Sequence, residues 1–296
     1  MRKNLEVRPF ATGCGAEVTN VNLGRLSRDE SDAIYQAFLD HQMLVIRNQA
    51  LTPLEQVVFS EIFGELEWQE NARYAHPDHD KVLILSNEIR PDGTAVGLVD
   101  AGDFWHSDSS HHEIPVNITI LQSVSITAQG GETDFCDMYA AYEALPGEIQ
   151  QKISGRFGVH HVSKTINPRV VVSKDRPDAK DFYEARIKDR PKVLQPLVRT
   201  HDETGRQALY VSPRFTIAID GMDDAEAQPL LDQLFAAINT ISRPYHYLHK
   251  YRDGDVVIWD NRCLVHRATG GYKLPDIRRL HRTTVVGKEK PFYRPN

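Results

Sequence analysis

The chain has 296 residues, a net charge of −6, 41% hydrophobic residues and 26% charged residues, which is the ordinary balance of a globular domain. No apolar stretch is as long as a membrane span, no apolar signal region opens the chain, and the negative charge argues against nucleic-acid binding. The three cysteines, Cys14, Cys136 and Cys263, are widely spaced and predict neither a disulfide framework nor a zinc pair, so we expect a cytoplasmic protein.

Three helices are predicted in chain order. Ser27–Glu30 and Thr52–Glu55 each have the pattern of a capping box, and Pro53 occupies a first helical position, where proline is favoured. A third helix is predicted to begin between Asp223 and Glu226, because apolar residues then recur at helical spacing.

Short strand-like runs fill most of the remaining chain: 43–46, 82–85, 117–124, 133–136, 209–211, 255–259 and 280–286. Many short strands separated by turns predict a mainly β, α+β protein with a jelly-roll or sandwich core and flanking helices. The length fits a single domain over residues 1–296. The charged, proline-containing stretch 164–192 is predicted to be a lid-like insertion over the barrel.

A His-X-Asp motif, His106 and Asp108, is the strongest chemical signal in the chain. On a strand these two side chains would project to one face, with Ser107 on the other. His266 follows the strand-like run 256–259 and could complete a set of two imidazoles and one carboxylate, which binds Fe(II) and leaves positions open. A second match, at 76–78, lies in a polar, proline-containing stretch that we interpret as a loop.

Two arginines near the C-terminus predict an anion site. Period two places Arg278 and Arg282 on one strand face, with Arg279 on the other. Residues 262–294 contain nine Lys or Arg against two acidic residues, in a chain whose net charge is negative. A planar guanidinium grips carboxylates and sulfonates well, and Thr133, after a glycine turn at 130–131, adds a hydroxyl on a strand face.

These residues resemble the Fe(II)/2-oxoglutarate-dependent dioxygenases of the taurine dioxygenase and 2,4-dichlorophenoxyacetate dioxygenase (TauD/TfdA) family. The likeness runs from residue 11 to residue 294 and is most specific at 105–110, at 130–133 and at 259–262 leading to His266. The first of these segments is more similar to the aryloxyacetate branch, whereas 290–294 is more similar to the taurine branch.

The resemblance implies a role for each motif residue. His106, Asp108 and His266 would hold Fe(II) as the catalytic and metal-binding set, and the cosubstrates would be 2-oxoglutarate and O2. Arg278 would pair with the distal carboxylate of 2-oxoglutarate with help from Thr133, and Arg282 would hold the acidic group of the substrate. Further substrate-side candidates are Ser109, Arg73 and Tyr74.

Two departures from the family pattern bear on these roles. The arginine usually follows the second histidine by about eleven residues, whereas Arg278 follows His266 by twelve. The turn at 269–272 could absorb the extra residue; otherwise Arg278 and Arg279 compete for 2-oxoglutarate. His111 stands where relatives usually have an aromatic hydrocarbon, so a more polar substrate pocket is expected.

The implied reaction oxidises 2-oxoglutarate to succinate and CO2 and hydroxylates a small anionic substrate beside a heteroatom, which leads to ether or C–S bond cleavage. An aryloxyalkanoate, a taurine-like sulfonate or an alkyl sulfate ester would fit. Relatives of this type tend to self-associate, so a homo-oligomer is expected. Two other classes use similar residues: a zinc-type metallohydrolase, which the paired arginines fit poorly, and a non-catalytic anion-binding jelly-roll.

Overall fold

In the computed structural model, the described residues are 5–11, 13–68, 74–98, 102–165, 187, 190–239 and 244–295. Most of the predicted lid-like insertion at 164–192 lies outside the described residues, and so does Arg73.

Two helices of the described chain begin at the capping boxes that the sequence predicts. The side chains of Ser27 and Thr52 each accept a hydrogen bond from the backbone N–H three residues on. The side chains of Glu30 and Glu55 accept one from the backbone N–H of Ser27 and Thr52, so both predicted capping boxes are confirmed. The α-helices are α1 Arg28–His41, α2 Pro53–Ser60, α3 Met138–Glu143, α4 Gly147–Ile153 and α5 Asp224–Asn239. Short 3-10 turns span Leu23–Arg25, Glu61–Phe63 and Val162–Thr165.

Sixteen strands are present in the described residues: β1 Glu6–Pro9, β2 Ala16–Thr19, β3 Met43–Ile46, β4 Ala75–His76, β5 His79–Ser86, β6 Ile118–Ser125, β7 Thr133–Asp137, β8 Phe157–His160, β9 Val193–Pro196, β10 Val198–Thr200, β11 Gln207–Leu209, β12 Thr216–Ile219, β13 His246–His249, β14 Val256–Asp260, β15 Leu264–Ala268 and β16 Arg279–Val285. The large sheet has the order β1-β2-β3-β14-β6-β16-β5-β4, and a smaller sheet has the order β13-β7-β15. Strands β8, β9 and β12 form a third sheet, and β10 pairs with β11.

Both faces of the large sheet are buried, and strand alternation assigns each side chain to one face. In β3, Met43 and Val45 join the core between the two facing sheets, whereas Leu44 and Ile46 join the core beneath α1 and α2. Across the inner core, Phe135 of β7 packs edge-on against Trp259 of β14, with ring centroids 5.5 Å apart. The space between these sheets is therefore filled by large side chains, except where a cavity opens beside Trp259.

Two sequence expectations about strands were wrong. The stretch at 76–80 is a β-hairpin, because β4 and β5 pair antiparallel with His76 opposite His79, and only residues 77–78 form a turn. The run predicted at 209–211 forms a strand two residues earlier, as β11. In both cases pairing with a neighbouring strand overrides the local composition.

No helix in the described part of the chain combines the length and the apolar character needed to cross a bilayer.

A buried ion network fixes the turn that joins β14 to β15. Arg262 is 1% exposed and donates from Nε and Nη2 to both oxygens of Asp260, at 2.8 and 2.7 Å. His201 Nε2 also donates to Asp260, and Arg262 Nη1 donates to Glu203, at 2.6 Å. Tyr35 of α1 donates to the same glutamate at 2.7 Å, so the network connects the turn to the outer helix layer.

Replacing Arg262 with methionine should destabilise the fold, because it leaves the Asp260 carboxylate buried without its main charge partner. The expected loss is about 3–5 kcal/mol in the free energy of unfolding, measured by urea titration. Arg28→Met is the matched control, since the Arg28 side chain is 93% exposed and its ion contact with Asp32 is 3.9 Å long. Equal stability of the two variants would contradict the structural role of the network.

Candidate metal centre

Three buried side chains, His106, Asp108 and His266, converge at one point between the two facing sheets. One Asp108 carboxylate oxygen, Oδ1, lies 3.5 Å from His106 Nε2 and 3.8 Å from His266 Nε2. The three candidate ligand atoms all lie within 4.8 Å of one another. The structure therefore brings together the three residues that the sequence predicted as a set.

Backbone pairing sets this arrangement. His106 and His266 form an antiparallel bridge in which each backbone N–H donates to the other's carbonyl, at 3.0 and 2.8 Å. The two imidazoles consequently lie side by side, with ring centroids 4.3 Å apart. Gly102 lies against the His106 ring and has a φ of +94°. A Cβ atom at this position would be 2.8 Å from His106 Cε1.

The local structure of the motif differs from the sequence expectation. His106 is an isolated bridge rather than part of a strand, and Asp108 begins a turn. Ser107 does point away from the centre as expected, because its hydroxyl donates to the Asn261 carbonyl at 2.7 Å. His266 does not end the 256–259 run but lies in the next strand, β15, after a tight turn. Strand alternation thus predicted correctly that His106 and Asp108 face the centre and Ser107 faces away, although this segment is not a strand.

Hydrogen bonds leave the metal-facing atoms available. His106 Nδ1 donates to the Phe104 carbonyl at 2.7 Å, which leaves the Nε2 lone pair free. Burial, followed by the neighbouring His106, lowers the pKa of His266 to about 3, so its imidazole is neutral at physiological pH. Burial alone would raise the pKa of Asp108, but the neighbouring His266, His106 and Arg282 outweigh it and hold that pKa well below its ordinary value.

The donor set fits a divalent transition metal. Two imidazole nitrogens and one carboxylate oxygen on one side of a cavity form the facial set typical of non-haem Fe(II) centres, which keep other positions open. The three residues could hold such an ion without rearrangement of their hydrogen bonds to Phe104 and Thr119.

A cavity of about 460 Å³ opens on this centre. Its lining includes the three candidate ligands together with Ser109, His111, Thr133, Arg214, Phe215, Trp259, Arg278 and Arg282. Its lining contains three arginines against one acidic residue, Asp108, so the walls carry an excess of positive charge. A cavity of this size and charge suits small organic anions.

Arg278 is held in the lining of the cavity by a glycine. It is 7% exposed, and its Nε donates to the Gly131 carbonyl at 3.1 Å. Gly131 has φ +78°, and a Cβ there would lie 2.8 Å from Arg278 Cδ, so any side chain would displace the arginine. The guanidinium also lies 5.4 Å from the ring of Tyr251, whose hydroxyl is 3.0 Å from Thr133 Oγ1.

The two adjacent arginines, Arg278 and Arg279, have different surroundings. Arg279 forms an ion pair with Glu88, away from the residues that line the cavity. In contrast, no carboxylate of the described residues forms an ion pair with Arg278 or Arg282, and Arg282 Nε is buried without a hydrogen-bond partner there. Arginines without acidic partners facing a cavity are suited to binding an anionic ligand.

The remaining predicted substrate residues divide into three cases. Ser109 lines the cavity in a left-handed conformation, with φ 55°. Tyr74 lies next to β4 and is not among the residues that line this cavity. Arg73 is outside the described residues.

Two cavity residues have features that sequence reasoning missed or left without a role. Arg214 reaches the cavity from the loop before β12 and pairs with Asp103 at 3.5 Å. Its sequence context, a loop arginine after a proline, gives no signal of a site. His111 packs against Phe215 with ring centroids 4.5 Å apart, and its Nδ1 is buried without a partner in the described chain. Burial and the adjacent His112 lower the pKa of His111 to about 3, so it presents a neutral, polar edge.

A second cluster of potential ligands, His201, Asp260 and Cys263, lies outside the cavity. Both oxygens of Asp260 already accept hydrogen bonds from Arg262, and burial raises the pKa of the Cys263 thiol well above its ordinary value. A cation here would have to displace a buried guanidinium, so this cluster is a structural ion network.

The sequence of this chain is similar to those of known dioxygenases. The sequence profile described as "Taurine catabolism dioxygenase TauD, TfdA family" matches residues 6–284. A relative from Cupriavidus pinatubonensis (strain JMP 134 / LMG 1197), named alpha-ketoglutarate-dependent 2,4-dichlorophenoxyacetate dioxygenase, is 32% identical over 83% of this chain and 85% of its own length.

Solved structures show the same likeness. A putative alpha-ketoglutarate-dependent taurine dioxygenase from Burkholderia xenovorans superposes with a TM-score of 0.79 at 30% identity, over 98% of this chain and 92% of its own. The structure of AAD-2 in complex with Mn(II) and N-oxalylglycine superposes with a TM-score of 0.76 at 26% identity. The match covers 98% of this chain and 100% of that chain. The predicted jelly-roll core with flanking helices is confirmed by these superpositions.

The purified protein should bind one divalent transition metal ion per chain. His266→Ala should abolish stoichiometric binding of Co(II), because it removes one of only three protein ligands. Cys263→Ala serves as the control and should retain one ion per chain, since its cluster is occupied by Arg262. Equilibrium dialysis with metal analysis measures both. Loss of the ion from Cys263→Ala with retention in His266→Ala would reverse the assignment.

Proposed function

Because this chain belongs to the TauD, TfdA family of dioxygenases, we propose that it hydroxylates a small anionic organic substrate, with an aryloxyalkanoate as the first candidate. The chain is a 2-oxoglutarate-dependent dioxygenase whose cosubstrates are 2-oxoglutarate and O2 and whose metal is Fe(II). Neither a zinc-type hydrolase nor a non-catalytic binding protein is supported by the relatives.

One observation carries the substrate proposal. Arg282 lines the same cavity as His106, Asp108 and His266, has a buried Nε without a partner in the described chain, and forms no ion pair there. Leaving a guanidinium without an acidic partner in a low-dielectric cavity is unfavourable, so an anionic ligand would be bound strongly. The acid group of the substrate is the natural partner.

The metal ligands and the two cavity arginines have separate roles in this reaction. Fe(II) held by His106, Asp108 and His266 would supply the activation of O2 that couples oxidation of 2-oxoglutarate to substrate hydroxylation. Arg278, with the Thr133 hydroxyl also in the cavity lining, binds the distal carboxylate of 2-oxoglutarate. Arg282 binds the acid group of the substrate and so holds one C–H bond next to the centre.

Hydroxylation of the substrate carbon next to the metal centre explains why the ether bond is cleaved. One atom of O2 enters succinate, and the other becomes the new hydroxyl on the carbon beside the ether oxygen. The resulting hemiacetal expels the phenol as the hydroxyl becomes a carbonyl. A taurine-like sulfonate would lose sulfite in the same way.

The neighbouring walls favour an aryl group over a short sulfonate. Phe215 and Trp259 supply aromatic surface, and the Arg214 guanidinium lies 5.8 Å from the Phe215 ring. The neutral His111 adds a hydrogen-bonding edge to the cavity, and this edge suits an ether oxygen or a ring substituent. A taurine-like sulfonate is the second candidate, because a solved structure with TM-score 0.79 is a putative taurine dioxygenase.

Anaerobic addition of Fe(II) and 2-oxoglutarate should give a weak visible charge-transfer band that shifts when the substrate is added. In air, a panel of phenoxyacetate, phenoxypropionate, taurine and an alkyl sulfate should show succinate formation coupled to product, highest with an aryloxyalkanoate. Succinate formation that no member of the panel stimulates would contradict the proposed substrate class. Absence of the band in wild-type protein would contradict the metal and cosubstrate assignment itself.

The arginine roles are separable by kinetics. Arg282→Ala should raise the KM for the primary substrate by about 10–100-fold and change the KM for 2-oxoglutarate little, because it removes a charge-assisted bond to the substrate alone. Arg278→Ala should do the reverse. Arg279→Ala is the matched control and should alter neither KM, since Arg279 pairs with Glu88 outside the cavity. An equal rise in both constants for Arg282→Ala would contradict this division.

A further inference from the structure

A hydrogen-bonded chain holds the Asp108 carboxylate from the side away from the two histidines. Thr119 Oγ1 donates to Asp108 Oδ2 at 2.7 Å and accepts from Asn261 Nδ2 at 2.9 Å. Thr119 and Asn261 are both 0% exposed, so water does not compete for these bonds. An amide nitrogen only donates and a hydroxyl has a single proton, which fixes the direction of the chain from Asn261 through Thr119 to Asp108.

The amide of Asn261 is itself held in one orientation. Its Oδ1 accepts from the Trp259 indole Nε1 at 3.1 Å and from the Asp108 backbone N–H at 3.2 Å. Rotating the amide by 180° would point its NH2 group at two donors, so the network excludes that rotamer. As a result, the Thr119 proton is presented permanently to Oδ2.

The two carboxylate oxygens of Asp108 therefore have different environments. Oδ2 accepts a short charge-assisted hydrogen bond, whereas Oδ1 faces His106 Nε2 and His266 Nε2 at 3.5 and 3.8 Å. Building on the proposed function, we infer that Thr119, oriented by Asn261, is a positioning residue that makes Asp108 a metal ligand through Oδ1 alone.

This restriction matters because carboxylates bind metals through either one oxygen or two. A facial set of three donor atoms leaves three of six positions, two for 2-oxoglutarate and one for O2. If Asp108 used both oxygens, only two positions would remain, and the two cosubstrates could not both be accommodated. Thr119 thus preserves the vacancy that the reaction requires.

The chain offers a closely matched control residue. Thr284 of β16 lies directly opposite Thr119 of β6 in the strand pairing and is 1% exposed. Its Oγ1 is buried without a hydrogen-bond partner in the described residues. Thr119→Val and Thr284→Val therefore exchange the same atoms in neighbouring, equally buried positions, and only the first removes a bond to Asp108.

The test is an anaerobic titration of wild-type, Thr119→Val, Thr119→Ser and Thr284→Val proteins with Co(II) alone, followed by its visible absorption. Thr119→Val should bind Co(II) about 10–100-fold more weakly. At saturation its visible spectrum should differ from that of wild type, because the second Asp108 oxygen then replaces a water among the six ligands of Co(II). Thr119→Ser should restore affinity and spectrum, and Thr284→Val should match wild type in both.

The result that overturns the inference is a Thr119→Val protein with the affinity and spectrum of wild type. A change of equal size in Thr119→Val and Thr284→Val would also overturn it, since a general loss of core stability would then account for both; thermal melting of each variant checks this. If wild-type protein fails to bind Co(II) or to form succinate, the proposed function fails instead. The two failures are therefore distinguishable.

Discussion

The antiparallel bridge between His106 and His266 is the interaction on which the site depends. These residues are 160 positions apart in the chain, yet each donates a backbone hydrogen bond to the other, at 3.0 and 2.8 Å. The bridge fixes the separation of the imidazoles before any ligand is present, so the conformational entropy of assembling the set is lost on folding rather than on metal binding. The Arg262 network beneath the β14–β15 turn holds the second histidine's strand in this position.

Charge distribution is the second constraint. The protein is net negative, but the described lining of the cavity has three arginines and one acidic residue. Two arginines outside the cavity lining, Arg279 and Arg262, have carboxylate partners in Glu88 and Asp260. Arg278 and Arg282 line the cavity and have no carboxylate partner in the described chain, so they are available to an anionic ligand.

Sequence reasoning succeeded where a local pattern has one physical outcome. The capping boxes at Ser27 and Thr52 begin helices, and period two from residue 278 into β16 places Arg278 and Arg282 towards one cavity and Arg279 away from it. Sequence reasoning failed where pairing with a distant segment decides whether a residue lies in a strand. His76 lies in a strand because β5 is available beside it, and His106 needs only a single bridge to His266 rather than a strand.

The amino-acid sequence by itself determined the chemistry available to this protein: the ligand types at 106, 108 and 266, the hydroxyl at 133, and arginines spaced to share a face. The tertiary structure decided which oxygen of Asp108 faces the histidines, which arginines have no acidic partner, and that Arg214 reaches the cavity. The reason is that side-chain identity and strand period are local properties. Burial, pairing and the environment of a single atom arise only when segments more than a hundred residues apart pack together.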